Sequence, residues 1–353
     1  MFESEYHMDN NGNTENIETG DNSKLRDYKT VCAKLGLSMC VYFICRLLAG
    51  GVWYIFADAA EMLGETVYNI INTIVLVVMV YIIPIIFSAT IFKSFETYKG
   101  NYKTLYKKPR RLARAMGTFP ATFGFGHGIA LLTLLASFLI TKYIGEPAHI
   151  ENLLRPPVIE QSTNIAGIIT MMLLMVVIAP LFEEFWVRGI MYDALKPYGN
   201  GIAILISSLL FGLMHGSLYM IFYTTAYGLA LGYIRYATDS LFIVTILHAI
   251  INTIGAGALL LISLMEITNE ENRIINTINI IFLLAVLIMV IVGVVVFLSK
   301  IPAIRRFKIE NTWTQISPRK KTAWFFASVP VILMMVLALN ELTNNWLPNL
   351  LLS

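Results

Sequence analysis

Apolar runs of about 20 residues follow one another along the chain, and a run of this length matches the ~30 Å hydrocarbon layer of a membrane. Of the 353 residues, 57% are hydrophobic and 14% are charged, whereas charged residues make up about 25% of a soluble domain. The sequence therefore predicts an all-α polytopic membrane protein with eight to nine transmembrane helices. The nine candidate runs, of which the fifth is short, are 31–56, 67–92, 115–141, 164–188, 200–216, 218–236, 241–264, 275–299 and 322–340.

Basic residues are concentrated in two loops, one between the second and third runs and one between the eighth and ninth. Cytoplasmic loops carry an excess of Lys and Arg, so we predict that both loops face the cytoplasm. The acidic segment around Asp58, Glu61 and Glu65 contains no basic residue, and the one around Glu266, Glu270 and Glu271 contains only Arg273, so both are expected outside. Nine spans with a cytoplasmic amino terminus satisfy all four segments. The basic residues are Lys93, Lys99, Lys103, Lys107, Lys108, Arg110, Arg111 and Arg114, then Lys300, Arg305, Arg306, Lys308, Arg319, Lys320 and Lys321.

The same pattern divides the chain into four parts. Residues 1–30 are polar and are predicted to form a disordered cytoplasmic tail. Residues 31–160 hold the first transmembrane helices, and 161–265 hold the segments that carry polar motifs. Residues 266–353 hold the last transmembrane helices and, from Glu341 onward, a segment expected at the outer interface.

Two adjacent glutamates end the apolar run 165–182, at a place where a carboxylate costs at least ~2.5 kcal/mol. They are Glu183 and Glu184, and Arg188 follows four residues after the second. Residues four apart share a helix face, so Arg188 is expected to neutralise Glu184, while Glu183 keeps its carboxylate for general-base chemistry. The alternative is a buried ion pair that only fixes helix packing.

Two further apolar runs carry imidazoles. Phe211 precedes His215 by four residues, and His248 precedes Asn252 by four, so the second pair projects from one helix face. An imidazole and an amide that point at one spot can stabilise an oxyanion. The alternative for this pair is an interhelical hydrogen-bond clasp.

The expected depths of these groups in the membrane differ. With the boundaries above, His215 lies ~21 Å from the start of its helix, at ~1.5 Å per residue, whereas Glu183 lies within about two turns of the inner surface. The depths match if the fifth helix starts below the bilayer or tilts, or if the fourth helix continues to about Leu195.

Taken together, Glu-Glu-x-x-x-Arg, Phe-x-x-x-His and His-x-x-x-Asn resemble the CPBP intramembrane protease family, which includes the Ras-converting type of CAAX prenyl endopeptidase and the bacterial Abi proteins. The resemblance covers roughly residues 164–264. It implies an intramembrane endopeptidase with a cavity open to the cytosol, acting on peptides or membrane proteins, CAAX-like substrates among them. It also implies roles: Glu183 and His215 activate water, His248 and Asn252 stabilise the oxyanion, and Glu184, Arg188 and Phe211 support the site.

A zinc site is the alternative to this metal-free chemistry, and its ligands would be Glu183, His215 and His248. The chain has no His-Glu-x-x-His motif, and Asn252 is a poor zinc ligand but a good amide donor. We therefore predict that no cofactor is needed, with zinc as the second choice.

Two other classes of function remain open on the sequence. A catalytically silent membrane scaffold or bacteriocin-immunity protein would tolerate loss of the motif residues, which are all present here. A proton-coupled transporter would use Glu183, His215 and His248 as a relay, but the sequence lacks the internal symmetry typical of transporters. Beyond substrate and lipid bilayer the sequence indicates no partner: nucleic-acid binding is not expected, and the oligomeric state is open.

Overall fold

A computed structural model describes residues 17–97, 102–110, 112–144, 165–267, 272–306, 309 and 313–342. These residues form helices joined by short turns and contain no strand, so the prediction of an all-α fold is confirmed. The longer helices are α1 Ile17–Leu63, α2 Thr66–Ile91, α3 Leu112–Ile144, α4 Ile165–Tyr198, α5 Asn200–Leu213, α6 Leu218–Thr238, α7 Leu241–Ile267, α8 Arg273–Arg306, α9 Pro318–Phe326 and α10 Val329–Leu342.

Six helices of the described residues are long and apolar enough to cross a membrane, namely α1, α2, α3, α4, α7 and α8. A seventh is added if α9 and α10, which meet at a bend of 67°, form one broken span. Helix α5 is apolar but has only 14 residues. The chain is therefore a multi-pass integral membrane protein, and the count of eight to nine spans stays a prediction.

The first helix begins earlier than the sequence indicated. We expected a disordered tail up to residue 30, but α1 starts at Ile17. Its first turns are held because Tyr28 is completely buried and donates a hydrogen bond from its hydroxyl to the Lys321 carbonyl at 2.9 Å. Residues 1–16 of the predicted tail, the loop 145–164, and residues 343–353 of the predicted interfacial segment lie outside the described residues.

Two prolines explain local widening of the membrane helices. Pro84 and Pro180 have no N–H group, and their rings crowd the carbonyl four residues earlier. The backbone before each adopts π-helical geometry, at Val77–Ile82 in α2 and at Leu174–Ile178 in α4. A third π-helical stretch, Phe185–Met191, follows the two glutamates. Such stretches are frequent at functional sites, and two of the three lie on either side of Glu183 and Glu184, one of them directly after Glu184.

Helix α4 lies at the centre of the packing that positions these glutamates. It contacts α2, α5 and α7. In its second half, every residue from Trp186 to Met191 is buried. On α2, Ser88 accepts a hydrogen bond from the Trp186 indole at 2.8 Å. Elsewhere α3 packs closely on α8, since a Cβ added to Gly124 would collide with the Gly293 backbone. Small residues allow such close helix approach in membranes.

Candidate active site

Helices α4 and α5 meet at a turn that lies equally far along the chain from two motif residues. The turn is made by Gly199, whose φ of 129° is in the region that favours glycine. Glu183 lies sixteen residues before Gly199, and His215 lies sixteen residues after it. Helix α4 continues to Tyr198, which agrees with the alternative in which the fourth helix extends to about Leu195.

Glu184 is the shared acceptor of the site. Its side chain is completely buried, and Oε1 accepts a hydrogen bond from Arg188 Nη1 at 3.2 Å. The same oxygen lies 2.8 Å from His248 Nδ1 on α7. The pairing of Glu184 with Arg188, predicted from helix spacing, is confirmed. The contact with His248 adds a link between α4 and α7 that spacing alone does not predict.

Glu183 uses its two oxygens differently. Oε1 accepts a hydrogen bond from the Tyr81 hydroxyl of α2 at 3.1 Å. Oε2 lies 3.8 Å from His248 Nε2, beyond direct hydrogen-bond distance. The Glu183 side chain is 11% exposed and that of Glu184 is 0% exposed. The first glutamate therefore keeps some exposed surface, and the second does not.

The ring of Phe211 joins the remaining groups. The Arg188 guanidinium carbon lies 4.3 Å from its centroid, within the range of a cation–π contact. The His215 and His248 rings meet it edge-on, at centroid distances of 5.0 Å and 5.6 Å. Phe211 is 2% exposed, so it forms a buried platform between α4, α5 and α7.

Hydrogen bonds fix which imidazole nitrogens carry protons. His215 Nδ1 lies 2.8 Å from the Phe211 carbonyl. A carbonyl oxygen only accepts, so Nδ1 is protonated, and in the neutral ring Nε2 carries the lone pair. The Glu184 carboxylate likewise places a proton on His248 Nδ1. His248 Nε2 therefore donates a hydrogen bond only when the ring is the imidazolium.

Asn252 lies one turn after His248, and its Nδ2 donates to the Met175 carbonyl at 2.9 Å. This carbonyl is available as an acceptor because the π-helical stretch leaves it without a donor within α4. The Ala179 N–H bonds to the Leu174 carbonyl, so the next bond in the series would join Met175 to Pro180, which has no N–H. The structure thus places Asn252 in an interhelical clasp, and one amide hydrogen remains for another acceptor.

Residues outside the three motifs hold the end of α5. The Met214 carbonyl accepts from the Tyr42 hydroxyl at 2.7 Å and from Arg46 Nη1 at 2.6 Å. Arg46 also forms an ion pair with Glu341 of α10. Sequence reasoning missed Tyr42, Arg46 and Tyr81, because a lone tyrosine or arginine in an apolar run gives no local signal of its distant partner.

The zinc alternative requires Glu183, His215 and His248 to meet around one ion. Among the described residues no group of three or more His, Cys, Asp and Glu side chains is arranged to hold a metal ion. The three residues expected as ligands, Glu183, His215 and His248, do not make such a group.

Comparison with known proteins addresses the segment that carries this geometry. Residues 165–254 match the model of the family described as type II CAAX prenyl endopeptidase Rce1-like. The family resemblance predicted from the motifs is confirmed for this segment. No curated protein and no solved structure matches the chain.

The Rce1-like segment includes every site residue predicted from the sequence, from Glu183 to Asn252. It does not include Tyr81, which lies on α2, or Tyr42 and Arg46, which lie on α1. The family is one of proteases, which supports a hydrolase. Neither a metalloprotease nor an Abi-type assignment gains support from the match.

Proposed function

We propose that the protein is an intramembrane endopeptidase that hydrolyses a peptide bond near the membrane surface. The observation that carries the proposal is the facing of Glu183 Oε2 and His248 Nε2 across 3.8 Å, within a segment that matches an endopeptidase family. A water molecule about 2.8 Å from both atoms fits over a gap of this width. The Glu183 carboxylate can take a proton from such a water. The His248 imidazole would then lie beside the carbonyl carbon that the water attacks.

Glu183 is the general base in this proposal. It takes a proton from water, and His215 assists because its Nε2 carries a lone pair directed away from the Phe211 carbonyl. The water oxygen then attacks the carbonyl carbon of the peptide bond and forms a tetrahedral oxyanion. The proton held by Glu183 passes to the leaving amine, and the carbon–nitrogen bond breaks.

His248 is the oxyanion donor. Glu183 and Glu184 carry two negative charges when ionised, and Arg188 carries one positive charge, so a protonated His248 makes the buried cluster neutral. Glu184 holds Nδ1 of the imidazolium, and the Nε2–H is left to bind the oxyanion. Asn252 contributes its second amide hydrogen. Removing one such donor typically costs ~10²-fold or more in rate.

Substrate and orientation follow from the same proposal. We assign residues 161–265 as the protease core, with the cavity open to the cytosol and the amino terminus cytoplasmic, as the basic loops favour. The substrate is a membrane protein or a lipidated peptide with a CAAX-like carboxyl terminus. The scaffold and transporter alternatives gain no support from the family match.

The test uses the purified full-length protein in lipid nanodiscs. A fluorogenic peptide with a farnesylated cysteine in a CAAX terminus is compared with the same peptide without the prenyl group, and the products are identified by mass spectrometry. Cleavage beside the lipidated cysteine, and slower cleavage of the unmodified peptide, is the expected result. If both peptides and a panel of membrane-protein substrates stay intact, the proposal is wrong.

A further inference from the structure

Tyr81 lies on α2, and its side chain reaches the first of the two glutamates on α4. It is 8% exposed, and its hydroxyl donates to Glu183 Oε1 at 3.1 Å. Its ring stacks on Phe182, with centroids 5.7 Å apart and an interplanar angle of 22°. Phe182 precedes Glu183, so the ring and the hydroxyl of Tyr81 contact two successive residues of α4.

The position of Tyr81 depends on the backbone of α2. Tyr81 lies in the π-helical stretch Val77–Ile82, three residues before Pro84. A π-helical turn holds one extra residue, so every side chain after it is rotated relative to a regular helix. A second contact, from the Trp186 indole to Ser88 Oγ at 2.8 Å, fixes α2 against α4 about two turns farther along. The stretch of α2 that carries Tyr81 is therefore fixed against α4 by a second hydrogen bond.

The hydroxyl makes the two oxygens of Glu183 inequivalent. A free carboxylate turns readily about its last torsion, which is broad and twofold. With Oε1 bound to Tyr81, Oε2 is the oxygen that faces His248 Nε2 at 3.8 Å. This effect of the hydroxyl acts on the base and not on the substrate.

We propose that Tyr81 is a positioning residue for the general base, which orients the Glu183 carboxylate so that one oxygen faces the attacking water. This inference rests on the proposed function and deepens it. It places a working part of the active site on α2, outside the segment that matches the endopeptidase family. Tyr81 acts through Glu183 and has no contact of its own with the reacting bond.

A purely structural role is the competing interpretation, because the ring of Tyr81 also packs between α2 and α4. The substitution Tyr81→Phe separates the two roles, since it keeps the ring and its stacking on Phe182 and removes only the hydroxyl. We expect kcat to fall about tenfold, the value of one hydrogen bond to a charged group. KM is expected to stay within about twofold of wild type, because substrate binding is untouched.

Tyr28→Phe is the matched control. Tyr28 is also buried and also donates one hydrogen bond, to the Lys321 carbonyl at 2.9 Å, but it lies away from the site. We expect this variant to lose stability without a change in kcat per folded molecule. If both variants lose the same fraction of activity, or if Tyr81→Phe keeps its kcat within about twofold, the inference is wrong while the proposed function stands.

An infrared measurement tests the contact without any cleavage assay. The carboxylate bands of Glu183 are identified as those that Glu183→Gln removes, and Tyr81→Phe is expected to shift them because the carboxylate loses a donor. Bands that stay in place would overturn the inference even in a fully active enzyme. A wild-type protein that cleaves nothing would contradict the proposed function, and the infrared shift would still decide whether Tyr81 holds Glu183.

Discussion

His248 Nδ1 lies 2.8 Å from Glu184 Oε1, and this oxygen is also bound by Arg188. One buried carboxylate thus holds a guanidinium from its own helix and an imidazole from α7. Glu184 therefore orients the His248 ring. Because Glu184 holds Nδ1, Nε2 is the nitrogen that faces Glu183. The two adjacent glutamates divide their roles by burial: Glu183 is 8% exposed as a residue and Glu184 is 0% exposed.

The ion pair of Glu184 and Arg188 gives a stability prediction. Arg188→Met removes the guanidinium and keeps an apolar side chain that can still pack on Phe211, but it leaves the buried cluster of Glu183, Glu184 and His248 with one uncompensated negative charge. We expect the free energy of unfolding to fall by about 3–5 kcal/mol. Thermal unfolding of the full-length protein in detergent measures this loss.

The double variant Arg188→Met with Glu184→Gln is the control for that prediction. It removes both charges, so most of the stability lost in Arg188→Met is expected to return, because a buried ion pair adds little over neutral groups. A double variant that unfolds at the same temperature as Arg188→Met would show that the charge of Glu184 is not the cause. Cleavage is expected to be weak in both variants because both lack the Arg188 guanidinium. In the double variant His248 also loses the charged acceptor that Glu184 provides.

Gly216 gives a second prediction, at the turn that follows His215. Its φ is 65°, and an added Cβ would lie 2.5 Å from Glu341 Oε1 and 3.0 Å from Arg46 Nη2. Gly216→Ala is therefore strained in its backbone by about 1 kcal/mol or more, and it also displaces Glu341 from Arg46. We expect lower thermal stability and slower cleavage, because Arg46 holds the Met214 carbonyl beside His215.

Gly255→Ala is the matched control for Gly216→Ala. Gly255 lies within α7, and an added Cβ would meet nothing within 4 Å. Alanine favours a helix over glycine by ~1 kcal/mol, so stability is expected to stay equal or to rise. Equal behaviour of the two variants would mean that the turn at Gly216 is not constrained as described.

Asp239 gives a pH prediction on the turn between α6 and α7. It has a φ of 52° and accepts hydrogen bonds from Lys107 and from Arg235 Nη1, while Lys196 Nζ lies 3.9 Å away. Burial alone raises the pKa of Asp239, but the hydrogen bonds from Lys107 and Arg235 outweigh burial, so the pKa lies below its ordinary value of 3.8. The ionised aspartate therefore stabilises the folded protein at pH values above its ordinary pKa of 3.8.

Asp239→Asn removes the charge and keeps a residue that tolerates the left-handed backbone. We expect a loss of about 1 kcal/mol at neutral pH, since the pairs are partly exposed and each contributes roughly 0.2–1 kcal/mol. The difference from wild type is expected to persist down to about pH 5 and to vanish as the pH falls through the lowered pKa. Unfolding midpoints measured across this range test the sign, and a difference that grows on acidification would contradict it.

The sequence predicts the parts of the site that depend on helix periodicity. Spacing of four residues placed Arg188 on Glu184, and this pair is present. The same reasoning placed His248 and Asn252 on one face of α7, where both side chains do contact α4. Periodicity describes one helix at a time, so it identifies which residues share a face and not which helix that face meets.

The contacts that the sequence did not predict arise between helices or from a break in helical regularity. Asn252 binds the Met175 carbonyl because Pro180 leaves that carbonyl without a donor inside α4. Tyr81 reaches Glu183 across 102 positions of sequence. A lone tyrosine in an apolar run is most simply a packing residue, and only the packing of α2 on α4 gives it a partner.

The central claim is that Glu183 activates water for attack on a peptide bond. The most direct test compares the rates at which equal amounts of folded wild-type and Glu183→Gln protein cleave the same lipidated peptide in nanodiscs. Glutamine keeps the size of the side chain and accepts the Tyr81 hydrogen bond, but it cannot take a proton, so we predict a fall in kcat of at least ~10²-fold with a small change in KM. Cleavage by Glu183→Gln at the wild-type rate would contradict the account.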